Sequence, residues 1–296
     1  MESRQEVLSL RILGGFVACA AAAAAWFPIQ LSLAAVFLFA GPHNWMEARY
    51  FVSRMPVRWG AQRPFFSIAI AGILALSLTF SLIPVHRSVW HSAVALWILI
   101  LLRMSRSEAL STALPIAFGW MALAWAVPGI ADLMLLFLHP LAALWFVHRQ
   151  IARTRPEWLT GFRMLAVAIV PLAILIVGAQ PASFAIRTVA SFAQLSLPPS
   201  LLALHAFLEL LHYGAWVILL PLIGLASAPW DFSAIPLVRH RAGWPRLVKA
   251  VLLAGAAAVI LLWFFFFLDY RTTREVYFTL AIVHVMAEVP FLVWLR

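Results

Sequence analysis

The chain has 296 residues, of which 65% are hydrophobic and only 11% are charged, and its mean hydropathy is +0.97. A soluble domain averages about 25% charged residues, so this chain lacks the polar surface of a globule and is typical of a multi-pass membrane protein. The net charge of +10 does not indicate a nucleic-acid-binding protein, because the arginines lie between apolar runs, and the single Cys19 excludes a disulfide framework and a cysteine-based metal site.

The apolar runs predict membrane-spanning helices in chain order. They are near the roughly 20 residues needed to cross the hydrocarbon core, and they lack the two-residue alternation of a β-barrel. We expect the first run to be a span rather than a cleaved signal. The predicted fold is all-α, a polytopic bundle forming a single integral-membrane domain over residues 1–296. The ten expected spans are roughly 9–27, 29–52, 65–84, 88–103, 108–127, 129–148, 162–180, 200–226, 247–268 and 275–295.

The positive charges between these spans predict an orientation. Loops assigned to the cytoplasm carry most of them: Arg54, Arg58, Arg63, Arg103, Arg106, Arg149, Arg153, Arg155, Arg163, Arg239, Arg241, Arg246 and Lys249. By the positive-inside rule, both termini are then cytoplasmic, and we expect the bacterial inner (cell) membrane. The segment 181–199 is weakly amphipathic and is expected at the membrane interface.

Three pairs of a histidine and a glutamate, four residues apart, interrupt the apolar runs: His43/Glu47, His205/Glu209 and His284/Glu288. Residues at this spacing share one helical face. Ionisable groups inside a membrane are costly unless they face protein, so such pairs indicate a functional site. Chance placement explains them poorly, because the chain has only 11 acidic residues.

Four histidines lie near the middle of four different predicted spans: His43, His139, His212 and His284. With a rise of 1.5 Å per residue, each is within about one helical turn of the bilayer centre. Neutral imidazole binds iron, zinc and copper, so the pattern predicts a metal site. The expected ligands are His43, His212 and His284, completed by His139 or His205. His139 has the weakest pattern, because no carboxylate follows it at the fourth position.

The glutamates have two possible roles in such a site. Glu47, Glu209 and Glu288 either bind the metal or orient the imidazoles by accepting a hydrogen bond from the second ring nitrogen. Glu209 and His212 have the Glu-x-x-His spacing of di-iron bundles. By contrast, a lone intramembrane histidine is often only hydrogen-bonded to a neighbouring helix, and we expect His91, at the end of a span, to be interfacial.

The sequence FLFAGPHNWMEARY resembles the Gly-x-Pro-His-Gly-x-x-Asp signature of the bacterial β-carotene 15,15′-dioxygenase-like membrane proteins (the Brp/Blh family). Gly41, Pro42 and His43 stand for its glycine, proline and histidine, and Glu47 stands where the family has aspartate. His284 is similar in placement to the family's last histidine, and His205 and His212 look like its middle pair. The resemblance implies an all-helical membrane protein in which histidines hold a ferrous iron that cleaves a polyene with dioxygen.

The leading hypothesis is therefore an integral-membrane, non-haem metal oxygenase with iron (Fe2+) as cofactor. Its expected partners are membrane lipid and a lipid-soluble substrate, such as a carotenoid or another polyene, and no nucleic acid. A haem- or pigment-binding subunit is one alternative, although axial histidines need no nearby glutamate. A proton-coupled transporter with His/Glu relays is the other, although transporters usually carry matching broken helices in two halves.

Overall fold

The structure is a computed structural model that describes residues 2–180, 197–224, 230–240 and 243–295, with side chains from residue 11 onward apart from 224. Within these ranges it consists of helices and short connections, without a β-strand, which confirms the predicted all-α class. Most of the predicted interfacial segment 181–199 lies outside the described residues. The helices are α1 (Glu2–Trp26), α2 (Pro28–Arg54), α3 (Arg63–Ser81), α4 (Arg87–Met104), α5 (Leu110–Ala126), α6 (Pro128–Thr154), α7 (Leu159–Gly178), α8 (Pro199–Gly214), α9 (Leu220–Gly224), α10 (Pro236–Arg239), α11 (Pro245–Leu268) and α12 (Tyr270–Trp294).

Proline marks the first turn of many helices. Pro28, Pro128, Pro199 and Pro245 each open a helix, and Pro64 is the second residue of α3. In the first turn a backbone N–H has no partner within the helix, so proline loses nothing there, and its fixed φ suits the helix. The helix starts therefore follow from the sequence.

Among the described residues, seven helical segments are long and apolar enough to cross a membrane. They are Gly60–Ser81, Arg87–Met104, Pro128–Thr154, Pro156–Gly178, Pro199–Ile223, Pro245–Leu268 and Tyr270–Trp294. On α11 the large side chains of Leu261, Phe264, Phe265 and Phe267 are exposed. Such a surface suits lipid and would be an aggregation liability in water. The protein is thus an integral membrane protein.

The chain divides into two compact units. Unit 1 comprises Met1–Tyr50, Pro140–Ala234 and Lys249–Arg271, and unit 2 comprises Phe51–His139, Ile235–Val248 and Thr272–Arg296.

In unit 1, aromatic side chains fix α2 against α11. The indole N–H of Trp45 donates to the carbonyl of Leu252 at 2.8 Å, and that of Trp263 donates to the carbonyl of Phe37 at 2.9 Å. Gly41 allows the close approach, because a Cβ there would lie 3.0 Å from a methyl group of Val259. These contacts set the rotation of α2, and with it the direction of its polar face.

In unit 2, α3 and α4 pack around two tryptophans. Trp90 donates to the carbonyl of Leu76 at 2.9 Å, and Trp97 donates to that of Ile68 at 3.1 Å. Trp97 lies directly over Gly72, where a Cβ would come within 2.0 Å of the indole nitrogen. The glycine therefore makes room for the tryptophan.

His91 on α4 is fully buried in unit 2, although the sequence places it near a predicted span end. Its Nε2 lies 2.9 Å from Oδ1 of Asp132 on α6. The pairing was not predictable from spacing, because the two residues are 41 positions apart. It gives this histidine a structural role in joining two helices.

Candidate metal centre

Helix α2 presents His43 and Glu47 on one face inside unit 1. Each is 1% exposed. The Nδ1 atom of His43 lies 2.9 Å from the backbone carbonyl oxygen of Phe39, one turn earlier. A carbonyl only accepts, so Nδ1 carries the proton and donates it to this bond. The Nε2 atom therefore keeps its lone pair, as a metal ligand requires.

Helix α8 brings His212 to the same place. His212 is 2% exposed, and its ring centroid lies 5.3 Å from that of His43. One ligand atom from each of His43, Glu47 and His212 lies within 4.8 Å of the other two. Two predicted histidine ligands and one predicted glutamate thus meet in unit 1.

The chemistry of this donor set fits a divalent transition metal. Two imidazoles and one carboxylate are the ligands of the facial triad that holds ferrous iron in non-haem oxygenases. With metal–nitrogen bonds of about 2.0–2.1 Å, the ligand atoms of one ion lie within about 4.2 Å of each other. The ligand atoms of His43, Glu47 and His212 lie no more than 4.8 Å from one another, which is close to that requirement.

Tyr213 is a site residue that the sequence analysis missed. Its buried ring lies 4.4 Å from the His43 ring, centroid to centroid, and its hydroxyl donates to Oε1 of Glu209 at 2.9 Å. The other oxygen of Glu209 lies 3.9 Å from Nδ1 of His205. The signal that could have found Tyr213 is its spacing, since it follows Glu209 by four residues.

The chain changes its helical form immediately after these residues. Ala215–Leu219 is a π-helix, a wider turn that often occurs at functional sites. It contains Trp216, which is fully buried and packs against Phe146 and Tyr50 with ring centroids 5.3 and 5.6 Å away. The Trp216 ring centroid also lies 6.4 Å from that of His212. Buried aromatic side chains thus lie beside the His212 ring.

Unit 2 contains a second group of predicted residues. Nε2 of His139 on α6 lies 3.1 Å from Nε2 of His284 on α12. Nδ1 of the same His139 lies 3.0 Å from Oε2 of Glu288. His139, whose sequence pattern is the weakest, thus contacts both members of the His284/Glu288 pair.

Within unit 1, His43, Glu47 and His212 bring one ligand atom each into proximity. Within unit 2, His139 contacts both His284 and Glu288. His205 and Glu209 remain paired along α8, and in the described part of the chain neither belongs to a group of three close ligand atoms.

No family model, curated protein or solved structure matches this chain.

Proposed function

We propose that the protein is an integral-membrane, non-haem iron oxygenase that acts on a lipid-soluble substrate, such as a carotenoid or another polyene. The observation that carries the proposal is the buried set of His43, Glu47 and His212, with one ligand atom of each within 4.8 Å of the others. The resemblance to the β-carotene dioxygenase-like family supports the same chemistry through His43.

The donor set favours a metal enzyme over a haem- or pigment-binding subunit. A histidine that is the axial ligand of a haem or chlorophyll needs a flat cavity beside it for the macrocycle. Here the His43 ring is instead covered by Tyr213 and lies against His212. A buried glutamate beside two imidazoles instead suits a small cation, because it supplies the charge that compensates the ion.

Each residue has a defined task in this proposal. His43, His212 and Glu47 would hold the iron, which supplies the activation of dioxygen when bound. The carbonyl of Phe39 orients the His43 ring. Trp216 and Phe146 exclude water, which strengthens electrostatic interactions at the ligands. An apolar substrate would enter from the lipid.

The proposal includes ten spans in a bacterial inner membrane, with both termini in the cytoplasm. Among the described residues, seven segments have the length and hydropathy of a span. Two shorter apolar helices, Arg11–Trp26 and Leu110–Ala126, raise the number to nine. Helix α2 is the tenth. At 1.5 Å per residue the 27 residues of α2 extend about 40 Å, enough to cross. Reporter fusions after residues 106 and 186 should report the cytoplasm and the outside; the same side for both would contradict this topology.

Elemental analysis and an absorption spectrum of the detergent-purified protein test the proposed function. We expect bound iron without a Soret or chlorin band, followed by oxidative cleavage when a polyene is offered under air. His43→Ala/His212→Ala should lose about one metal per chain relative to His86→Ala, which removes an exposed histidine. If the double variant retains all of its metal, or if the iron belongs to haem, the proposal is wrong.

A further inference from the structure

We infer that unit 2 binds the headgroup phosphate of an anionic phospholipid in a cavity at the ends of its helices. The cavity has a volume of about 1090 Å³, and all of its lining residues belong to unit 2. This volume is at the upper end of the range found for ligand sites. The polar side chains that line it are those of Gln62, Arg103, Ser105, Arg106, Ser107 and Glu108. The inference goes beyond the proposed function, because none of these residues belongs to the candidate metal centre.

The cavity lies at the level of the lipid headgroups. It is formed by the start of α3, the end of α4, the turn before α5 and the end of α12. Three of these elements belong to segments that are long and apolar enough to cross the hydrocarbon core, so their ends lie at the membrane surface. The apolar side chains that line the cavity include those of Phe65, Met104, Val293 and Trp294. A site with both kinds of lining suits a molecule with a charged head and apolar chains.

The charge of the cavity favours an anionic headgroup. Arg103 and Arg106 are exposed, and among the described residues neither guanidinium forms an ion pair, although Glu108 lines the same cavity. A guanidinium binds phosphate oxygens through paired N–H donors. Basic pockets between membrane helices on the cytoplasmic side bind anionic lipid headgroups. The positive-inside rule assigns these two arginines to that side.

The backbone of Arg106 adds a second argument. Its φ is 53°, and no other non-glycine residue in the described ranges has a positive φ. Glycine adopts this left-handed conformation without strain, whereas an arginine does so at a cost. Such strain is typical of functional positions. A side chain that contributes charge to a binding site explains an arginine at this turn.

The test is lipid binding to the full-length protein in a neutral detergent, counted by native mass spectrometry. The two lipids are phosphatidylglycerol and phosphatidylcholine with the same acyl chains. We expect a single tight site that prefers phosphatidylglycerol at least about 10-fold, because phosphatidylcholine compensates its own phosphate. Each arginine near an anionic surface contributes about 5-fold in affinity, so Arg103→Gln/Arg106→Gln should weaken phosphatidylglycerol binding at least about 20-fold.

The matched control is Arg153→Gln/Arg155→Gln. It removes two exposed arginines that are assigned to the same side of the membrane but do not line the cavity. This variant should bind phosphatidylglycerol nearly as wild type does. Equal weakening in the two double variants would mean that the arginines act only through general attraction to anionic lipid, and the inference would be wrong.

Two single variants separate binding from folding. Arg106→Gly removes one charge and also relieves the strained φ, so phosphatidylglycerol binding should fall about 5-fold while the melting temperature without lipid does not fall. Glu108→Gln removes the carboxylate that lines the cavity and should tighten binding about 5-fold. Unchanged binding in both variants would overturn the site.

An excess of inorganic phosphate distinguishes a lipid from a soluble anion. It should displace little phosphatidylglycerol, because it cannot contact the apolar lining formed by Phe65 and Trp294. Complete displacement would assign the cavity to a soluble anion and overturn the lipid. The metal content should be the same in all of these variants, so failure of this inference would leave the proposed function standing.

Discussion

Replacing Glu47 by glutamine is expected to lower the metal affinity of unit 1 by at least about 100-fold, with little effect on the fold. Glutamine has the shape of glutamate but lacks its charge. The ligand set of His43, His212 and residue 47 would therefore lose its only anionic member. Changes to groups that merely orient ligands already cost about 10–100-fold in affinity. Competition with a chelator of known affinity, followed by elemental analysis, measures the change.

Two matched variants make this result specific to position 47. Glu47→Asp keeps a carboxylate and should recover much of the metal binding. Aspartate is also the residue at this position in the family signature that the sequence resembles. Glu108→Gln removes the same charge from an exposed turn and should bind metal like wild type. Equal affinity in Glu47→Gln and wild type would exclude Glu47 as a ligand.

Replacing Gly72 by alanine is expected to destabilise the protein by about 3 kcal/mol. The added Cβ would lie 2.0 Å from the indole nitrogen of Trp97, so the buried ring must leave its position and lose its hydrogen bond to Ile68. Overpacking costs about 1–3 kcal/mol, and loss of a large buried aromatic costs about 3–5 kcal/mol. Thermal unfolding in detergent, without added metal, should show a melting temperature lower by roughly 5–10 °C.

The matched control for this variant is Gly119→Ala. Gly119 also lies within a helix of unit 2, but nothing approaches within 4 Å of the position of its Cβ. Alanine favours a helix over glycine by about 1 kcal/mol, so this change should be neutral or stabilising. If both variants melt at the same temperature, the close packing of Trp97 on Gly72 is wrong.

The helices were largely predictable because their signals are local. Proline at a helix start and runs of about 20 apolar residues depend only on neighbouring positions. This holds for α2 as well, because the apolar run predicts a span over 29–52 and the helix covers Pro28–Arg54, although His43, Glu47 and Arg49 interrupt that run.

The candidate sites were predictable only in part, because spacing reports contacts within one helix. His205 and Glu209 lie on one helical face, as their spacing of four residues predicts. Nδ1 of His205 is 3.9 Å from Oε2 of Glu209. Contacts between helices have no such signal. His139 and His284 are 145 residues apart in sequence, and only the tertiary structure brings their Nε2 atoms to 3.1 Å. Their positions within the predicted spans indicated that both histidines lie near the bilayer centre. Those positions could not indicate that the two side chains are in contact.

The π-helix at Ala215–Leu219 sets a limit on how patterns in this region can be compared with those of other chains. A π turn contains one residue more than an α turn, so it advances the angular phase by about 100° relative to an uninterrupted α-helix. A helical wheel that begins at Pro199 is valid through Gly214, and a second wheel is needed from Leu220. A related chain with one residue fewer in this turn would keep the stripe of His205, Glu209 and His212 while presenting a different face after it. Alignments of this helix should therefore be anchored before residue 215, and a one-residue gap there is structurally meaningful.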